Sequence, residues 1–104
     1  MTATEKSSAR MRKIFEADAK RFDEANEERG DGWTCIGAIG LFFEVRTMYI
    51  RLRGALWARR ELGWAEINKK GLYNILIDLR NYAAMLQMAI EDENMIGFGD
   101  DREL

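Results

Sequence analysis

Apolar residues recur at helical spacing along the first third of the chain. Positions three, four and seven residues apart share one face of a helix, and most of the intervening positions here are charged. We therefore predict a first helix from about Thr4 to Glu28. Its apolar face consists of Met11, Ile14, Phe15, Phe22 and Ala25. No apolar side chain anchors the first turn, so we expect residues 1–8 to be flexible.

The second periodic segment is apolar on two sides. It follows an Asp-Gly-Trp turn at residues 31–33, and Thr34 is a candidate N-cap for a helix from about Cys35 to Glu61. One side carries a stripe at helical spacing, made of Ala38, Leu41, Phe42, Val45, Met48, Leu52 and Leu56. Another side carries a row made of Phe43, Ile50 and Trp57. A helix with two apolar sides either lies at the centre of a bundle or meets a second chain.

The longest periodic segment lies in the last third of the chain. It predicts a third helix from about Trp64 to Asn94, with an apolar side formed by Leu72, Ile75, Leu76, Leu79, Tyr82, Ala83, Leu86 and Ile90. The chain has no proline that would interrupt these helices. We predict one all-α domain over residues 1–104, an antiparallel bundle of three long helices, with a flexible tail at 97–104. Such long helices in so small a chain leave much surface exposed, so we also expect a homo-oligomer.

Composition narrows the possible functions. The 104 residues carry a formal net charge of −2, which lacks the basic surplus of most nucleic-acid-binding proteins. There is no histidine, and this excludes histidine-dependent triads and histidine zinc ligands. The single cysteine suits a reducing compartment, and the longest apolar run, residues 36–43, is too short to span a membrane. We therefore expect a cytoplasmic protein without a membrane partner.

A row of polar residues borders the apolar side of the third helix. Lys70, Asn74, Asp78 and Asn81 are separated by four, four and three residues, and Tyr82 is adjacent. Two interpretations remain open. The row could be a structural network that fixes the helix register, with Asp78 paired to an arginine of the second helix. It could instead be a ligand cleft, in which arginines bind phosphate and the asparagine amides read a base or a sugar.

The tryptophans and the cysteine allow two interpretations as well. Trp33 either plugs the end of the bundle or stacks on a ligand ring. Trp57, together with Phe43 and Ile50, is a packing residue or an interface anchor. Cys35 opens the second helix, but without a histidine partner we expect it to be a small, inert and buried side chain.

Three short motifs resemble those of a known family. The chain has the Asp-Gly-Trp turn at 31–33, then Arg-Leu-Arg-Gly-Ala-Leu at 51–56, and then Asp-Leu-Arg-Asn-Tyr-Ala at 78–83. This order resembles the nucleotide-modification-associated domain of phages and bacteria, a small helical family similar to the MazG nucleotide pyrophosphohydrolases. Its members have an Asp-Tyr-Gly turn, a helix with a lysine and an Arg-Ile or Arg-Leu pair, and an acidic helix ending in Asp-Leu-x-Asn-Tyr-Ala. The resemblance covers residues 27–90.

This chain departs from the family at positions that bear on catalysis. The family's acidic positions one and two turns before the last motif fall on Asn74 and Lys70, and its lysine falls near Met48. MazG-like hydrolysis needs clustered carboxylates that hold Mg²⁺, and Asp78 alone is a poor magnesium site. The resemblance thus implies a nucleotide cleft in a chain that has lost hydrolysis. Only an active phosphohydrolase would need Mg²⁺ as a cofactor.

Two functional hypotheses result. The first is a small phage-type protein in the host cytoplasm that binds or processes a nucleotide in a cleft between helices, with unknown catalytic residues. Its ligand-binding residues would be Asp78, Asn81, Tyr82, Asn74, Arg51, Arg53 and Trp33. The second is a non-enzymatic interaction module, a host-protein inhibitor or an assembly protein, that uses apolar helix faces. Its interface residues would be Trp57, Phe43 and Ile50.

Overall fold

The computed structural model of the chain describes residues 2–30, 32–62 and 69–97. Every regular element in these ranges is helical, which confirms the predicted all-α class. The chain divides into two compact units, residues 1–32 and residues 33–104. None of the described helices is both long enough and apolar enough to cross a membrane.

The first unit contains a single long helix, α1, Ala3–Arg29. Thr2 caps its start, because the Thr2 hydroxyl oxygen accepts a hydrogen bond from the backbone N–H of Glu5 at 3.1 Å. Gly30 ends it with a φ of 67° and donates its N–H to the Asn26 carbonyl at 2.6 Å. The helix thus begins one residue before the predicted start, while the flexibility of residues 1–8 stays a prediction.

A short 3-10 helix, Gly32–Cys35, spans the boundary between the two units in the chain. The second unit also contains two long helices, α2, Gly37–Leu62, and α3, Lys69–Glu91. The two long helices pack against each other. The backbone N–H of Ala38, at the start of α2, donates to the carbonyl of Asn94, just beyond the end of α3. Because the start of one helix meets the end of the other, α2 and α3 run antiparallel.

The start of α2 differs from the prediction. Thr34 is not an N-cap, since it lies inside the 3-10 helix, and α2 begins only at Gly37. Gly37 has a φ of 74°, a left-handed conformation that breaks the helical path between the two elements. The break expected at Gly63 and the predicted start of α3 at Trp64 lie outside the described residues.

The end of α3 also differs from the prediction. The helix ends at Glu91 rather than Asn94, because Glu93 adopts a left-handed φ of 56°. The N–H of Glu93 donates to the Ile90 carbonyl at 3.1 Å, and the N–H of Asn94 donates to the Ala89 carbonyl at 2.8 Å. This pair of bonds is a Schellman motif, whose left-handed position usually holds glycine.

The core of the second unit lies between the start of α2 and the end of α3. Ala38, Leu41 and Ala89 form a buried cluster in which Leu41 is completely buried. Four partly buried residues pack against this cluster, namely Trp33, Tyr82, Met85 and Leu86. Burying one leucine side chain in this way contributes about 1.5–3 kcal/mol relative to leaving it in water.

A backbone contact joins the same two helix ends. We call it the clasp, and it connects residues 34–39 to residues 94–97. Ala38 N–H donates to the Asn94 carbonyl at 2.8 Å, and a second bond joins the next residue of each segment at 3.0 Å. The buried Asn94 side chain donates from Nδ2 to the Thr34 carbonyl at 2.7 Å. The N–H groups of Ala38 and Ile39 lie in the first turn of α2, where no acceptor of the same helix is available. Both donate to the clasp instead, so neither can bind an anion.

Two glycines allow the clasp to close. A Cβ atom at Gly37 would lie 2.7 Å from the carbonyl carbon of Ile96 and 2.8 Å from the carbonyl oxygen of Met95. A Cβ atom at Gly97, where φ is 97°, would lie 2.8 Å from the carbonyl carbon of Cys35. Each position thus combines a left-handed backbone with backbone contacts that leave no room for a side chain.

Candidate interaction surface on the second helix

The two apolar sides predicted for α2 have different surroundings. One side packs in the second unit, where Ala38, Leu41 and Met48 are buried. The other side, which we call the outer face, carries six large apolar residues that are all about half exposed. They are Ile39 at 50%, Phe42 at 55%, Phe43 at 54%, Tyr49 at 56%, Ile50 at 51% and Trp57 at 57%. Among the described helices, α2 thus carries more exposed large apolar residues than α1 or α3, and the residues predicted as interface anchors all lie on its outer face.

Neighbouring aromatic rings reinforce part of the outer face. The rings of Phe42 and Phe43 have centroids 5.6 Å apart and an interplanar angle of 69°, an edge-to-face arrangement. Such aromatic pairs have a favourable quadrupole geometry and leave rigid apolar area for a partner. The two residues therefore present a preformed patch rather than two independent side chains.

A groove runs beside the outer face. Its volume is about 470 Å³, and it is lined by Tyr49, Leu52, Arg53, Leu56 and Trp57. Because these residues are spaced by three, four, seven and eight along α2, they follow one side of the helix. Among its described lining residues most are apolar, and Arg53 is the cationic one. The volume falls within the range of about 300–1,000 Å³ of small-molecule pockets.

The charges on the outer face are all of one sign. Arg46 and Arg53 are exposed and fall among its apolar residues at a spacing of seven. Glu44 is the single acidic residue between positions 39 and 57, and its helical position lies on the other side of α2, where it is partly buried. The outer face is thus apolar and basic. Protein–protein interfaces are likewise enriched in aromatic residues and arginine.

The polar row on α3 is divided between exposed and partly buried positions. Lys70 and Asn74 are exposed, whereas Asp78, Asn81 and Tyr82 are partly buried. Tyr82 packs against the buried cluster shared with α2. Asp78 lies one turn before Tyr82, so its Cα faces the same side of α3. This half of the row lies on the side that meets α2, while the pairing of Asp78 with an arginine stays a prediction.

The two arginines predicted for one cleft project from different sides of α2. Arg51 and Arg53 are both exposed. Two residues along a helix correspond to a rotation of about 200°, so their side chains diverge. Arg53 lines the groove beside Tyr49 and Trp57. A ligand held by Arg53 would therefore use the groove on α2 rather than the polar row on α3.

Two other sequence predictions concern residues next to the clasp. Trp33 packs against the buried cluster, as expected if it closes one end of the helix pair. The alternative, that Trp33 stacks on a ligand ring, stays a prediction. Cys35 is exposed, so the expectation that it is buried was wrong. The reason is local, because Cys35 is the last residue of the 3-10 helix, which has no buried residue, and not the first residue of α2.

Two buried polar residues were missed. Asp18 is 5% exposed and Asn94 is 4% exposed. Asp18 lies four residues after Ile14 and four before Phe22, so a carboxylate interrupts the apolar stripe of α1, and that interruption was the available signal. Asn94 had no comparable signal, because its burial depends on the clasp. Of the residues that line the groove, Tyr49 was likewise not singled out, whereas Leu52, Arg53, Leu56 and Trp57 were.

The described residues contain no group of three or more His, Cys, Asp or Glu side chains placed to hold a metal ion. Comparison with the sequence models of protein families, with curated proteins and with solved structures gives no match. The resemblance to the nucleotide-modification-associated domain therefore rests on the three short motifs alone.

Proposed function

We propose that this chain is a non-enzymatic assembly module that self-associates through the outer face of α2. The observation that carries the proposal is the row of six large apolar side chains, each about half exposed, on one side of a helix whose opposite side is already packed. Monomeric soluble proteins rarely expose contiguous apolar area of this size without a partner. The antiparallel three-helix bundle stays a separate proposal for the complete chain, supported by the apolar stripe of α1 and the antiparallel pair of α2 and α3, and the two proposals hold together only where α1 leaves the outer face of α2 uncovered.

The composition of the outer face supports a protein partner. Interface residues that carry most of the binding energy are most often Trp, Tyr and Arg, and this face contains Tyr49, Trp57, Arg46 and Arg53. Aromatic side chains with half of their area in water gain most when a second surface covers them. A small domain that cannot bury its apolar residues internally commonly does so by oligomerisation.

The test is the molar mass in solution of matched variants. Phe43→Ser and Ile50→Ser remove apolar area from the outer face, and Tyr73→Ser removes an equally exposed ring, at 59%, from α3. Light scattering after size-exclusion chromatography should show association for the wild type and for Tyr73→Ser, and monomers for the other two. Circular dichroism should show unchanged helix content in all four. Association that persists in both outer-face variants would contradict the proposal.

A second candidate function is binding of a nucleotide in the groove of α2. The specific observation is that Arg53 lies between Tyr49 and Trp57, one turn away on either side, in a groove of about 470 Å³. An aromatic ring can stack on a base while the guanidinium binds phosphate oxygens. The family resemblance points to the same ligand class. Hydrolysis would need Mg²⁺ held by carboxylates, so we propose binding without hydrolysis.

A thermal-shift screen against nucleotides, with and without Mg²⁺, tests this second candidate. A ligand at 100 times its Kd adds about 2.7 kcal/mol to the stability of the folded state. Arg53→Gln should abolish the thermal shift. Arg51→Gln should preserve it, because the Arg51 side chain projects from a different side of α2. Loss of the shift in Asp78→Ala, with Arg53→Gln unaffected, would place the ligand at the polar row of α3. A flat screen would leave assembly as the single proposed function.

A further inference from the structure

We draw no further inference here: the strongest candidate, the outer face of α2 with the groove beside it, carries nothing beyond the functions already proposed for it, because nothing in the described part of the chain shows what covers it.

Discussion

The start of α2 and the outer face of α2 belong to one helix but are constrained in opposite ways. At the start, the clasp joins backbone to backbone, and Gly37 and Gly97 leave no room for a Cβ atom. Along the outer face, Phe43 and Ile50 keep about half of their area in water. The clasp therefore constrains the fold of the second unit, while the outer face of α2 stays exposed and is the surface that we propose for association. Substitutions should therefore change stability in the first region and solution mass in the second.

The largest effect is expected for Gly37→Ala, which acts on the clasp. A methyl group there would require a strained φ and would overlap the backbone of residues 95–97, at a cost of about 2–5 kcal/mol in the free energy of unfolding. The matched control is Gly54→Ala, at an exposed glycine of the same helix with no neighbouring atom near its Cβ position. It should be neutral or stabilise by about 0.5–1 kcal/mol. Urea unfolding followed by circular dichroism measures both, and equal midpoints would mean that the clasp does not constrain the fold of the second unit.

Asn94→Ala should have the next largest effect. The buried Asn94 side chain donates to the Thr34 carbonyl at 2.7 Å, and its removal leaves that carbonyl without this donor. Such a loss costs about 1–3 kcal/mol. Gln87→Ala is the control, since it removes an exposed bond to Glu91 at 3.0 Å and should cost less than about 0.5 kcal/mol. Comparable unfolding free energies for the two variants would show that the clasp contributes little.

Glu93→Gly should stabilise the second unit. Glu93 is held at a φ of 56°, which glycine adopts without a steric penalty, so the expected gain is about 0.5–1 kcal/mol. Glu91→Gly, two residues earlier and still within α3, should instead lose about 1 kcal/mol. Thermal unfolding of both variants gives the sign of each change. A loss of stability in Glu93→Gly would mean that the Glu93 side chain makes a compensating contact.

The smallest effect on the stability of a single copy is expected for Ile50→Ser. Ile50 is 51% exposed on the outer face, and exposed substitutions usually change stability by no more than about 0.5 kcal/mol. Unfolding is measured at high dilution, where copies are separated, and solution mass is measured at high concentration. The variant should unfold almost like the wild type and yet fail to associate. A large loss of stability at high dilution would mean that Ile50 supports the fold.

The sequence predicted the helices because their apolar period extends over many turns. It failed at two helix ends, where Thr34 was expected to cap α2 and α3 was expected to reach Asn94. The first error has a distant cause, since the clasp joins residues almost sixty positions apart and local capping patterns cannot report it. The second has a local cause, because Glu93 takes the left-handed position of a Schellman motif, where glycine is the usual signal in a sequence. Gly37 and Gly97 gave no sign of a close backbone approach, because a glycine in sequence does not reveal its φ.

The candidate surface was predictable only in part. The spacing of Phe43, Ile50 and Trp57 indicated a second apolar side of α2, and the structure leaves these residues exposed. The groove was not predicted, because the helical spacing of Leu52 and Leu56 placed both in one continuous apolar stripe that we expected to be packed. The sequence pattern does not show how much of a wide stripe the facing helix covers. Sequence reasoning therefore found the row but not the boundary between the packed and exposed sides.

Sedimentation equilibrium of the wild-type protein tests most directly whether α2 carries a self-association surface. One chain has a mass of 12.1 kDa. The proposed self-association predicts a mass that rises above this value with protein concentration, with Ile50→Ser remaining at the mass of one chain. A wild-type mass that stays at 12.1 kDa across the whole concentration range would contradict the proposal.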